Sequence, residues 1–594
     1  MKNLRSAIVA SFVLLAFSIS AFAQNASTPV GDPVLEPPTL RCLGVYWVIR
    51  GDDNQNAHVE FDYRKSGTTD WRSGPPLFRV ERRSKPYLDE GGQPKPPSQV
   101  KIPADGWLFA GSLLLLDPDT AYDLRLKLID PDGGSLEKLL QAHTIAEPKA
   151  PADAPQRHVI PGDGGGSGTV ADPFKGLNAA QKAARPGDIF LLHAGTYNGS
   201  FVVDRSGEIG KPIIWRGAGD GQAILDGQRP IEKLSGSTIE AVGVHDVWFE
   251  NLSVCNAYNL IKAHESSRIV VRRCHLYRAY CGVVATENKT GNLRDFFISD
   301  NVFEGMMPWP VTEQQWHDLP ECRAVWLTGS GHVVCYNRIH HWKDGMDTDD
   351  GPVCCAIDFH NNDISEMFDD GSEMDGSERN TRNFCNRYCN TLTGVSLQPV
   401  YGGPIYVYRN VIFNCLTEGF KLHNSPSGAL LIHNTVVKNG TLLELSTEDE
   451  VIHCISRNNL FLGTSGRAMD YEPKMIDCDF DHDGFGGFSG PVFIKWNGER
   501  YATVNEVRAK SPIEKHCVIV DPATAFLSGV VPPAKPRTIV DNTKVDVRLK
   551  AGSGAIDAGE VLPGFNNGFK GKAPDLGAYE FGDELMQYGP RAVK

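Results

Sequence analysis

The chain has 594 residues, 41% of them hydrophobic and 22% charged, with 60 glycines, 38 prolines and a formal net charge of −14. That length exceeds what one compact core usually holds and points to several domains or an elongated repeat, and the abundance of turn-forming glycine and proline suits β-structure. A net-negative chain with no basic stripe interleaved with aromatics has no means of general attraction to a polyanion, so no nucleic-acid partner is expected.

Residues 1–23 read as a signal peptide: Lys2 and Arg5 precede an apolar run at 7–17, and Ala21-Phe22-Ala23 forms a cleavage site before Gln24. No later stretch of about 18 apolar residues follows, so no membrane span is expected and a secreted or periplasmic monomer is the reading. Losing Lys2 and Arg5 takes the formal charge from −14 to −16, and an acidic partner then needs local help from a cation or a few arginines. Export invites a disulfide reading of the 14 cysteines. Cys335, Cys354, Cys385, Cys415 and Cys454, however, fall in strands of successive repeats, where buried free thiols are expected to stack; pairs Cys281 with Cys322 and Cys385 with Cys389 are the alternatives.

From about residue 37 to 144, short alternating runs such as CLGVYWVIR and AHVEFDYRK are separated by turn residues, the pattern of a small antiparallel sandwich. The run Leu116-Asp117-Pro118-Asp119-Thr120-Ala121-Tyr122 resembles the fibronectin type III signature, which implies that Tyr122 closes a corner between two sheets. Residues 24–150 are assigned to this module and its linker, with a bracing role. Next, residues 174–184 carry apolar positions at helical spacing, and PGDIFLLHAGTY follows; the combination resembles the opening cap of right-handed parallel β-helix proteins.

A repeat then sets in. Asn301, Asn337, Asn362, Asn386, Asn410, Asn434 and Asn458 each stand beside a strand-like run, and the last five intervals are 25, 24, 24, 24 and 24 residues. Asn251 and Cys274 extend the register upstream with looser spacing. Such self-similarity means a solenoid whose rungs stack about 4.8 Å apart. DCDFDHDGFGG at 477–487 has the acid spacing of a calcium loop without its closing glutamate, and APDLGAYEFG near the end resembles the closing segment of secreted bacterial β-helix proteins. The expected fold is therefore all-β: a right-handed parallel β-helix over 151–594, with a helical cap and a C-terminal capping segment, preceded by the small antiparallel β-sandwich.

The register converts sequence distance into proximity. Counting from the repeated asparagines, Asp344 and Asp369 share one position, Glu373 and Lys421 another, and Asp350, Asp375 and His423 a third. Carboxylates so crowded either shift pKa or hold a cation between them, and an oxygen-rich cluster suits Ca²⁺. Asp369-Asp370-Gly371-Ser372-Glu373 resembles the D-D-G-x-D calcium segment of pectate lyases of polysaccharide lyase family 9, Lys343-Asp344-Gly345 resembles that family's additional calcium aspartate, and Gly419-Phe420-Lys421-Leu422 resembles its G-F-K-L segment. One departure is the acid closing the first segment, Glu373 here, with Asp375 two residues on. The resemblance implies β-elimination on an acidic, uronate-containing polysaccharide: Asp344, Asp369, Asp370 and Glu373 as Ca²⁺ ligands and Lys421 as catalytic base. Arg379, Arg382 and Arg409 are expected to grip neighbouring carboxylates, with Tyr401 and His423 lining a sugar subsite.

Three alternatives stand beside this one. Asp347, Asp350, Asp369, Asp370 and Asp375 offer the paired carboxylates of a polygalacturonase-like glycoside hydrolase, although the G-H-G and R-x-K elements of those enzymes are missing. A uronan epimerase shares the proton abstraction. A non-catalytic glycan-binding or adhesion solenoid predicts aromatic platforms rather than acids.

Overall fold

The computed structural model describes residues 25–592 apart from 81–99, 288–289, 311, 313–314, 316–318, 349–353, 446–449 and 465. The expected leader and Asp350 lie outside the described residues. Among the described residues, no helix is long and apolar enough to cross a membrane.

The N-terminal part is a two-sheet antiparallel sandwich. Leu43–Arg50 pairs with Gly106–Leu113 in one sheet, and His58–Lys65 pairs with Ala121–Ile129 and then Leu136–His143 in the other. Alternate residues of Ala121–Ile129 turn inward, Leu124, Leu126 and Leu128 meeting Val45, Trp47 and Phe61 between the sheets. Tyr122 is buried, and its hydroxyl accepts the Asp117 N–H at 3.0 Å, which fixes the corner as the sequence predicts.

The rest is a parallel β-solenoid with two long sheets, of 16 and 18 strands among the described residues, running side by side along its length. The opening helix is shorter than its periodicity suggests. It spans Leu177–Ala183, because Phe174 and Lys175 are taken up as a strand against Val159 and Ile160. Inside the stack runs an asparagine column. Asn337 Nδ2 donates to Ile298 O and to Asn362 Oδ1, both at 3.0 Å, and the pattern repeats through Asn386, Asn410 and Asn434. These amides satisfy backbone groups that the rung-to-rung bend leaves without sheet partners.

Three expectations are corrected here. The column passes from Asn434 to Asn459, not Asn458, whose side chain instead turns to His433 and to Glu560 O. Upstream it includes Cys274, whose N–H donates to Asn301 Oδ1 at 2.9 Å, but above that the stacked residue is Leu252 rather than Asn251. The acid-rich segment 477–487 is no calcium loop: Asp479–Asp481 and Gly484–Gly486 are rung strands, and Asp483 continues the column by accepting from Asn459 N (2.7 Å) and Nδ2 (3.0 Å). Burial pushes the Asp483 carboxyl up to about 6 despite those donors, with Glu514 stacked beneath it. Among the described residues no disulfide joins any of the 14 cysteines, all of them buried except the half-buried Cys478, so neither alternative pairing forms.

The sandwich packs against the 16-stranded sheet. Arg382, wholly buried, is bound to Asp358 at 2.5 Å and to Ser112 Oγ at 3.0 Å; Asp358 in turn accepts from Thr39. Arg379 reaches Glu36 at 2.6 Å and lies over the Tyr46 ring, and Tyr406 OH accepts the Ser112 N–H.

Candidate active site

The 18-stranded sheet carries the acids. A glycine column, Gly345, Gly371, Gly394 and Gly419, runs along it against the core residues Ile364, Tyr388, Ile412 and Val436. A Cβ on Gly345 would stand 2.3 Å from Gly371 O, one on Gly371 2.6 Å from Gly394 O, and one on Gly394 2.4 Å from Gly419 O. Rungs can approach this closely only where no side chain intervenes. The residue before each glycine is thereby brought into file: Asp344, Asp370, Thr393 and Glu418. A second file runs beside it, Asp347 pairing with Glu373, Glu373 with Ser396 and Ser396 with Lys421.

The two files meet at Lys421. Its Nζ lies 3.1 Å from Asp370 Oδ2, an ion pair in which Asp370 is fully buried and the lysine side chain is 19% exposed. The Asp370 N–H donates to Asp344 Oδ1 at 3.2 Å. One oxygen each from Asp344, Asp370 and Glu373 falls within 4.8 Å of the others. Asp369 is outside that trio; its N–H donates to Lys343 O at 2.9 Å, and it stands one register irregularity away, between Met367 and Asp370. Behind the strand Asp363–Glu373, Ser372, Asn383 and Tyr388 form a buried hydrogen-bonded group at 2.8–3.0 Å that anchors it.

The electrostatics follow from this crowding. Burial, then Asp369 and Asp370, drives the Asp344 carboxyl well above the usual carboxylate range, and burial with Asp344 and Asp347 does the same to Glu373. Asp375 is pushed up to about 8, chiefly by burial, while Lys421 and the donors from Ser396 Oγ and Gln398 N pull it back. For Lys421, burial favours the neutral amine, but Asp370, Asp369, Asp375 and Glu373 outweigh it and hold the ammonium. Asp370 Oδ1 is buried with no hydrogen-bond partner. A convergent set of hard oxygens with one buried oxygen unsatisfied fits a hard divalent cation in ligand chemistry.

The three arginines expected to bind substrate do not join this cluster. Arg379 and Arg382 hold the sandwich, as described, and Arg409 is buried against the Tyr408 hydroxyl (2.8 Å) and Ala578 O (3.1 Å) of the C-terminal segment. All three belong to the rungs' other side, where burying a guanidinium requires such dedicated partners. Tyr401, half-buried, opens the strand Tyr401–Tyr408 beyond the Asp375 turn, its N–H on Ser377 O. His423 sits 3.9 Å from Glu418 and lines a cavity of about 530 Å³ with Thr417, Lys438 and Glu444.

Residues 323–481 match the family model described as the right handed beta helix region. A comparison with curated proteins finds no match. Among solved structures, the chain is similar to pectate lyase Pel9A, at 17% identity and a TM-score of 0.44 over 72% of this chain and 96% of that one. It is also similar to a structure titled rhamnogalacturonan lyase (14% identity, TM-score 0.37, 55% and 87% covered) and to XylC in complex with xylose (12%, 0.39, 65% and 85%).

Two side chains at the site escape the sequence reading. Arg323, the ladder partner of Asp344, is paired with Asp347, stands 3.8 Å from Glu373 and lies over the Trp326 ring; although burial opposes it, Asp347, Asp344 and Glu373 hold its charge firmly. A long insertion within its rung, between the strands Val302–Glu304 and Arg323–Leu327, separates it from Asn301, so no repeat pattern announces it. Glu418 is pushed up to about 7 by burial and Asp370. The signal for it was the Xaa-Gly file, in which Glu418-Gly419 stands where Asp344-Gly345 and Asp370-Gly371 stand in earlier rungs.

Proposed function

We propose that the protein is a calcium-dependent polysaccharide lyase that cleaves a uronate-containing polysaccharide by β-elimination, working outside the cytoplasm as a monomer. The observation that carries the reading is the Lys421 amine 3.1 Å from Asp370, beside a carboxylate trio with an unpartnered buried oxygen. Asp344, Asp370 and Glu373, with Asp369 flanking, would hold the cation. Bound there, Ca²⁺ supplies a positive centre that neutralises a uronate carboxylate and acidifies the C5–H beside it.

Lys421 is the base in this reading. Its basicity is governed by the carboxylates around it: with their charge committed elsewhere, burial remains and favours the neutral amine. The amine takes the C5 proton, the C–H electrons form the C4–C5 double bond, and the C4–O bond breaks with its electrons leaving on the glycosidic oxygen, which is then protonated. Glu418, poised near neutrality, is suited to deliver that proton. Arg323, stacked on Trp326 at the other end of the cluster, offers a planar fork to a second uronate.

One observation favours a hydrolase instead. Asp375, pushed up to about 8, is a protonated acid at neutral pH, as a glycosidase general acid must be. One assay separates the two. Purified protein is incubated with a panel of uronate polysaccharides, with Ca²⁺ and with chelator, and ultraviolet absorbance of the unsaturated product is followed. Calcium-dependent absorbance lost in Lys421→Ala supports the lyase; new reducing ends without absorbance, indifferent to chelator, would sink it.

A further inference from the structure

We propose that His340, His341 and Glu366 form a second metal site, selective for a borderline divalent transition metal ion such as Zn²⁺, which clamps two consecutive rungs at the corner just ahead of the acidic cluster. One donor atom from each of the three lies within 4.8 Å of the others. His341 Nε2 stands 3.2 Å from Glu366 Oε2, and the two imidazoles meet edge to face at 5.2 Å. The other ring nitrogen of His341, Nδ1, is buried without a hydrogen-bond partner, so the ring has an unused donor position. Two imidazoles and one carboxylate are the ligand set of open tetrahedral zinc sites, with a water completing the fourth position. Glu304, the ladder neighbour of His340 on the preceding rung, is held by His275 at 3.0 Å.

The position explains why a clamp is useful there. His341 and Glu366 occupy one corner column together with Asn390 and Asn414, all with positive φ between 55° and 64°. Asparagine suits that conformation and stacks there, Asn414 Nδ2 donating to Asn390 Oδ1 at 2.6 Å. At the two rungs that lead into the acidic cluster, a histidine and a glutamate replace it. Their rungs are in step before the corner, where His340 pairs with Ser365 at an offset of 25 residues, and out of step after it, where Asp347 pairs with Glu373 at an offset of 26. A metal on His341 and Glu366 fixes the register at the last point before that slip. Its nitrogen donors set it apart from the all-oxygen cluster, so the two sites choose different ions.

The test uses tag-free, chelator-stripped protein titrated with Co²⁺, followed by its visible absorption, and with Zn²⁺, followed by calorimetry. His341→Asn and Glu366→Asn keep the residue the corner prefers, and circular dichroism with metal-free melting verifies their fold. Expected are one equivalent of Co²⁺ or Zn²⁺ bound by the native protein, at least tenfold weaker binding in both variants, and no competition from excess Ca²⁺. The assignment is overturned by absence of binding in the native protein, by binding unchanged in both variants, by displacement with Ca²⁺, which would place the ion on the carboxylates, or by loss in His482→Asn, which would place it at Asp481, His482 and His516.

Discussion

Lys421 and Asp370 stand two rungs apart in the fold and 51 residues apart in the chain, yet their side chains form a 3.1 Å ion pair with the carboxylate fully buried. The parallel register makes this possible, because it stacks Asp370 over Thr393 and Ser396 over Lys421, leaving one rung for the lysine to reach across.

Lys421→Ala is expected to lower kcat by about 10²–10⁴-fold, the usual range for a positioned acid or base. Lys421→Arg should not restore it, since a guanidinium keeps its proton at any working pH. Steady-state rates on the polysaccharide that the native protein cleaves decide this, and an arginine variant with near-native kcat would show that charge, not basicity, is what the position supplies.

Stability without calcium should fall as pH rises. Asp344, Glu373 and Asp375 have folded-state pKa values raised above those of the unfolded chain, Asp375 to about 8. A group raised on folding contributes its stability in full below its unfolded pKa, here about 4, and loses it as pH climbs through the folded value. Melting in chelator should therefore drop between pH 5 and pH 8, and Asp375→Asn should flatten the drop. Ca²⁺ at a hundredfold excess over its Kd should restore about 2.7 kcal/mol, with the larger effect at pH 8.

Glu418→Gln should remove a limb near pH 7 from the activity profile while leaving the melting temperature of the native fold nearly unchanged. The prediction rests on the carboxyl pushed up to about 7 beside Lys421. A profile that keeps this limb in the variant assigns it elsewhere.

Arg382→Ala should cost about 3–5 kcal/mol, because it strands the buried Asp358 carboxylate where the sandwich meets the solenoid. Denaturant unfolding measures the loss, and a change below about 1 kcal/mol contradicts the role described for Arg382. KM for substrate should stay at the native value in whatever fraction remains folded.

Asn386→Ala should destabilise by about 2–4 kcal/mol. It leaves the Asn362 N–H and Phe359 O buried without partners, each worth about 1–3 kcal/mol. Asn458→Ala, at the neighbouring but off-column position, should cost less.

The fold was largely legible in the chain because a solenoid is local: each rung repeats a pattern of about 24 residues, and the column asparagines that mark it bond only within their own and the adjacent rungs. Reading failed where one residue decides between two neighbours. Asn458 and Asn459 are indistinguishable to a period count, and only the hydrogen bond from Asn434 chooses Asn459. The arginines failed for a different reason. Arg379, Arg382 and Arg409 look like free cations near an acid-rich stretch, but apart from the adjacent Tyr408 their partners, Glu36, Asp358, Ser112 and Ala578 O, come from the N-terminal part, from the rung before or from the C-terminal segment.

By itself, the sequence determined the stacked architecture, the face that collects acids and the register that aligns Glu373 with Lys421, since these follow from period and spacing. The tertiary structure alone decided which oxygens converge, that one each from Asp344, Asp370 and Glu373 falls within a single cluster with Asp369 flanking it, and that Arg323 and Glu418 stand beside that cluster. The physical reason is that a register fixes neighbours along the stack to within one residue, whereas a one-residue slip between Met367 and Asp370, invisible in the period, sets which side chains face one another across it.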